Sequence, residues 1–188
     1  MRTLLASLFA FFTLLPAAYA DTYAEGKDYR EARHAQPGTG KTIKVEEYFW
    51  YGCPHCYAAE PYLESWLRTR PADVDFVRVP NTLGHDVGKQ HAKAFYTADF
   101  LKLLDQTHEA MFDAIHKEHR ALNSPEAIQQ FYTEKTGVPA DKWNATFNGF
   151  AIDSRVRRAD KDAMDYGISG TPTLVIDGRW LVDAKNPP

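Results

Sequence analysis

The sequence predicts an α/β fold made of a strand–helix–strand unit, an all-helical insertion and a closing β-hairpin. Three observations carry this. Residues 41–51, KTIKVEEYFWY, and 73–79, DVDFVRV, are rich in β-branched and aromatic types and flank a helical pattern. Residues 86–166 then read as helix almost throughout. Residues 173–182, TLVIDGRWLV, set Asp177-Gly178 between two β-rich runs, the strongest short-range hairpin signal.

The chain opens MRTLLASLFAFFTLLPAAYA. Arg2 precedes an apolar run from Leu4 to Leu15, Pro16 breaks it, and Ala18-Tyr19-Ala20 fits a cleavage site. Residues 1–20 are therefore expected to be a cleaved export signal, since the run falls short of the ~20 residues that span a bilayer. Residues 21–40 are polar with Gly26, Pro37, Gly38 and Gly40, and are expected to form an extended or loose lead-in. Alternation in the first strand puts Val45, Glu47 and Phe49 on one face and Glu46, Tyr48 and Trp50 on the other. The first helix should run from Pro54 to about Arg68 with Leu63, Trp66 and Leu67 as its apolar stripe, kinked at Pro61. Strand, helix and strand in this order make a parallel βαβ pair.

Within the helical block, one segment passes through Ala92, Phe95 and Tyr96 and another through Ala110, Met111 and Ile115. A third opens at Ser124-Pro125-Glu126, an N-cap followed by proline at the first helical position. Trp143 and Phe147 mark a fourth, and Ile152 to Tyr166 a fifth. The expected division is a first α/β part over 21–85, a helical insertion over 86–150, and a second α/β part over 151–188.

At 44% hydrophobic and 13% aromatic the chain has material for a core, and its formal charge of −3 argues against a nucleic-acid or anionic-membrane surface. Both cysteines lie in YGCPHCY, residues 51–57. A structural staple closing so short a loop removes little unfolded-state entropy. Structural zinc needs a second ligand pair, and His116 with His119 lies far along the chain. His34, His85, His91 and His108 are expected on solvated surfaces. The redox reading accounts for more. Cys53 falls at the strand-to-helix junction, where free backbone N–H groups and the helix dipole favour a thiolate. It is expected to be the exposed, attacking sulfur, with Cys56 one turn further in as the resolving one. His55 should add a dipole or partial charge, so the pair Pro54-His55 tunes the oxidising strength.

EEYFWYGCPHC, the helical insertion and GISGTPTLVIDG together resemble the DsbA family of thioredoxin-fold, periplasmic oxidases, over residues from about 41 to 182. The resemblance implies that Cys53 forms the mixed disulfide with substrate and that Pro172 is a cis-proline facing the redox pair. It implies that Gly170 and Thr171 offer backbone to an extended substrate strand, and that Glu47 is the buried acid beneath the site, although Glu46 competes for that place. It further implies disulfide donation to unfolded, reduced exported polypeptides, a DsbB-like quinone-linked membrane partner, no cofactor beyond the cysteine pair, and a monomer. The alternatives are a reductase or isomerase on the same fold, or a thiol-independent peptide-binding chaperone. One departure stands out: family members continue into a C-terminal helix over the sheet, whereas this sequence ends LVDAKNPP.

Overall fold

The computed structural model describes residues 23–183. The expected signal segment and the terminal AKNPP lie outside the described residues. Five strands form one sheet in the order β1-β5-β4-β2-β3. They are β1 (Arg30–Glu31), β2 (Ile43–Phe49), β3 (Val74–Pro80), β4 (Thr173–Ile176) and β5 (Trp180–Asp183). β2 and β3 run parallel, joined by α1 (Pro54–Leu67), and the other pairs are antiparallel. The helical block is α2 (Asp86–Phe100), α3 (Leu104–His116), α4 (Pro125–Thr136) and α5 (Ala140–Phe147), and α6 (Phe150–Tyr166) leads back to the hairpin. This is the expected thioredoxin-type α/β fold with inserted helices.

Register assigns each helix a face. Val45, Glu47 and Phe49 align with Phe76, Arg78 and Pro80 on β3, and Val45 and Glu47 with Ile176 and Leu174 on β4. α1 covers this face, with Trp66 edge-on to Phe76 at 5.8 Å. α6 covers the opposite face, where Tyr166 meets Tyr48 at 6.2 Å. α2 and α3 meet the first face only at its Phe49 end, and over β4 and β5 it carries no helix among the described residues. Leu174, Ile176, Trp180 and Val182 are only half-buried there, and an apolar hollow of about 560 Å³ opens between Ile176, Trp180, Val182, Tyr23 and Tyr29.

Local chemistry fixes the elements. Ser124 Oγ accepts the Ala127 N–H at 3.2 Å, and Gly137 ends α4 at φ 71°. Asp177 and Gly178 both hold positive φ, 51° and 63°, which suits the two-residue hairpin turn. A Cβ on Gly178 would meet the Gln36 carbonyl oxygen at 2.2 Å, so only glycine fits. The lead-in is extended where it meets the sheet: β1 pairs with β5, Arg30 reaches Asp183 at 3.2 Å, and Tyr29 packs on Trp180. Polar composition hid a strand that is held by its edge partner. α1 runs from Pro54 through Pro61 to Leu67, and Pro61 is exposed, so water can serve the carbonyl it leaves free.

A single aromatic core joins the sheet to the helical block. Phe49 contacts Tyr51 at 5.1 Å and Phe95 at 5.3 Å, and Tyr51 contacts Phe112 at 4.9 Å. Further in, Tyr132 stacks on Trp143 at 4.0 Å. The end of β2 is thereby buried against α2 and α3, and the turn that follows inherits this support.

Candidate active site

Cys53 is the N-cap of α1. Its backbone is extended, φ −85° and ψ 115°, and its Sγ accepts the Cys56 N–H at 3.4 Å. Pro54, exposed at the first helical position, has no N–H to offer, so the unpaired donors of the helix start begin with His55 and Cys56. A sulfur at this position does what a serine or aspartate oxygen does at other helix starts, and it gains a thiolate in the process. Gly52 lets the Trp50 ring fold over the turn, since a Cβ there would lie 2.3 Å from it. The turn closes with Cys53 N–H donating to the Trp50 carbonyl at 2.9 Å.

The second wall is the loop before β4. The Thr171–Pro172 bond is cis, and the Cys53 thiol reaches the Thr171 carbonyl at 3.3 Å. This loop covers the sulfur: Cys53 is 6% exposed and Cys56 0%. The expectation of an openly exposed Cys53 is corrected accordingly, because the 171–172 loop caps the helix start. Gly170 and Thr171 are half-buried, and nothing stands within 4 Å of where a Gly170 Cβ would be. Both cysteines are free thiols, so this is the dithiol form.

The two sulfurs are driven apart electrically. A hydrogen bond from the Cys56 thiol, with the Thr171 side chain and the Cys56 and His55 N–H groups, lowers the Cys53 pKa to about 5 against the cost of burial. The Cys56 pKa is raised, first by that bond to Cys53 and then by burial. His55 acts on the sulfur through its backbone N–H; its ring is exposed.

Beneath α1 lies a charged cluster. Glu47 is fully buried with Oε2 at 3.3 Å from Arg78, which also meets Glu60 at 3.0 Å and Glu64 at 2.7 Å. Burial, with the Glu60 charge, pushes Glu47 up to about 8. Glu46 faces the other side of the sheet and pairs with Lys44 at 2.7 Å. Burial would raise Glu60, but His108 and Arg78 hold its carboxyl below the usual range.

His108 and His91 are corrections: both are buried, not solvated. Burial keeps His108 neutral, its Nδ1 lies 2.9 Å from the Tyr51 hydroxyl and its Nε2 3.5 Å from Glu60. Glu60 is held ionised and can only accept, so the ring proton faces it from Nε2 and Nδ1 is left to accept from the Tyr51 hydroxyl. His91 Nε2 binds the Leu122 carbonyl at 2.7 Å, and His85 Nδ1 caps α2 at the Gly88 N–H. His34 and His85 are exposed, as expected. Spacing held one clue to His108: with Phe112 and His116 it recurs every four residues, one stripe of a helix.

A model of the family described as the DSBA-like thioredoxin domain matches residues 44–188. The chain belongs to this family. It is similar to the thiol:disulfide interchange protein DsbA of Pseudomonas aeruginosa, with 42% identity over 183 residues, covering 95% of this chain and 82% of that one. Its similarity to the DsbA of Burkholderia cepacia is 37% over 182 residues, covering 96% and 84%. Among solved structures, P. aeruginosa DsbA superposes with a TM-score of 0.79 at 42% identity, covering 87% of this chain and 85% of that one. DsbA from Xylella fastidiosa gives 0.79 at 34%, covering 86% and 88%. As a DsbA-like protein the chain is a thiol:disulfide oxidoreductase, and the sulfur-capped helix is where such chemistry has its electrostatic support.

Proposed function

We propose that the chain introduces disulfide bonds into newly exported proteins, with Cys53 as the attacked sulfur and Cys56 as its leaving group. In the disulfide form, a substrate thiolate attacks Cys53 Sγ; the Cys53–Cys56 bond breaks and Cys56 takes up a proton. A second substrate thiol, losing its proton, attacks the substrate sulfur of the mixed disulfide and expels Cys53 as a thiolate. Two electrons pass from the substrate dithiol to the protein, and the substrate leaves as a disulfide. The observation that carries this reading is the stabilised thiolate at Cys53, held near pKa 5 beside a Cys56 driven the other way. A stable Cys53 thiolate makes the reduced protein favourable and the disulfide a strong oxidant.

Pro54 and His55 set the helix start that supplies the donors, and Pro172 shapes the loop that faces the sulfur. Gly170 and Thr171 leave open backbone for an extended substrate segment. Glu47 is the candidate buried acid that exchanges a proton under the site. Residues 86–150 act as a helical insertion between the two α/β parts, 21–85 and 151–188. The working location is the periplasm, as a monomer after removal of residues 1–20, with re-oxidation by a DsbB-like quinone-linked membrane oxidase. The test is the redox equilibrium with glutathione, read together with thiolate absorbance against pH. A Cys53 titrating like free cysteine (~8.5) with a thioredoxin-like potential (about −270 mV) would overturn the oxidase reading.

A further inference from the structure

Tyr51, two residues before Cys53, is gripped at both ends by one stripe of α3. Its hydroxyl meets His108 Nδ1 at 2.9 Å, its ring packs on Phe112, and its carbonyl accepts from His116 Nε2 at 2.7 Å. His116 also lies flat on Tyr57, 5.0 Å between centroids with 10° between planes. Tyr57 is the residue after Cys56; its N–H donates to the Cys53 carbonyl at 3.1 Å and its hydroxyl to Asp113 at 2.8 Å. One half-buried histidine thus touches the chain on both sides of the redox pair.

We propose that His116 is a positioning residue for the redox turn, fixing the Cys53 cap on α1 through its Nε2–H bond to the Tyr51 carbonyl. This rests on the reading of Cys53 as the redox sulfur. The physical ground is specific. Among the described residues His116 is the one donor that reaches the Tyr51 carbonyl, and an acceptor at a buried residue left without a partner is costly. The turn can relieve that cost by moving, and only Gly52 separates Tyr51 from the cap. The Cys53 Sγ–Cys56 N–H contact is already long at 3.4 Å, so a small displacement weakens the donor field at the sulfur. The helical block, 65 residues away in sequence, then acts on the sulfur chemistry without touching the sulfur.

Two variants separate the hydrogen bond from the packing. His116→Phe keeps a ring on Tyr57 but has no donor; His116→Gln keeps an N–H donor but has no ring. Thiolate absorbance and the glutathione equilibrium are measured on both, beside the wild type. For H116F the expected result is a raised Cys53 titration and a redox equilibrium shifted about tenfold toward the disulfide, equivalent to about 30 mV. H116Q should stay within about twofold of wild type. An H116F protein that matches wild type overturns the proposal, as does an equal shift in both variants. A purely structural role would lower thermal stability and leave the titration unmoved. The wild type gives a reading independent of any variant: in ¹⁵N-histidine-labelled protein, His116 should carry its proton on Nε2, and a neutral Nδ1–H tautomer overturns the proposal. An ordinary free-thiol titration in the wild type would instead fail the reading of Cys53 itself.

Discussion

Cys53 and Glu47 are both buried acids set along one helix, and their pKa values move in opposite directions. Cys53 falls to about 5 and Glu47 rises to about 8. Burial raises both. The difference is what each group meets once water is gone. Cys53 sits on the open end of α1 among unpaired N–H donors and a thiol, whereas Glu47 lies under the middle of the helix, beside Glu60 and Glu64. Among the described residues Arg78 is the one cation paired with it, shared by three carboxylates. Depth does not choose the charge state; the supply of donors does.

The largest expected effect breaks the comparison at its chemical end. Cys53→Ser should show no thiol–disulfide exchange with reduced peptide, and Cys56→Ser, offered a disulfide-bonded peptide, should hold one peptide sulfur on Cys53 as a mixed disulfide while the other leaves as a thiol, seen as a mass adduct. In Cys56→Ala, which has no side-chain donor, the Cys53 titration should rise above about 5, the loss of the thiol donor being its first cause, while the remaining N–H donors keep it below that of a free thiol.

Next comes pH. In the dithiol protein the unfolded chain holds a proton on Cys53 that the folded chain has released, so this contribution to stability is full above about 9 and lost as pH falls through about 5. The disulfide form lacks it. The stability of the dithiol form relative to the disulfide form should therefore rise with a slope of about 1.4 kcal/mol per pH unit between those limits. Urea titrations of both forms at several pH values measure it; parallel curves would remove the thiolate from the argument.

Glu47 predicts the opposite slope. Its folded pKa is raised, so the folded protein holds a proton that the unfolded chain releases, and stability falls as pH climbs from about 4.5 through about 8. Glu47→Gln should flatten the fall in the disulfide form and stabilise the protein at pH 8–9 by on the order of 1–3 kcal/mol. Arg78 keeps Glu60 and Glu64, so the substitution leaves no unpaired cation. The smallest effect is a control outside both regions. Ser124→Ala removes the α4 cap and should cost about 1 kcal/mol in chemical denaturation without moving the Cys53 titration.

The parts readable from sequence were those that local chemistry determines. CPHC at a strand-to-helix junction, Ser124-Pro125 and Asp177-Gly178 each carry their own turn or cap. What escaped was set by partners far along the chain. His108 looks like a surface residue until it is seen 57 residues from Tyr51, with which it bonds. Nothing in DVDFVRV itself marks Arg78, yet register with Glu47 turns it under α1. β1 exists because β5 offers it an edge, which a polar lead-in does not announce. Glu46 and Glu47 could not be separated by alternation, since either face of β2 is covered by a helix.

The α3 stripe bears on protein engineering. Moving YGCPHCY onto another scaffold would carry the two sulfurs and their helix start but leave behind His108, Phe112 and His116. The graft would have the right letters on an unsecured hinge. A transferable redox cartridge from this protein is not a loop; it is the loop together with the helix that clasps it.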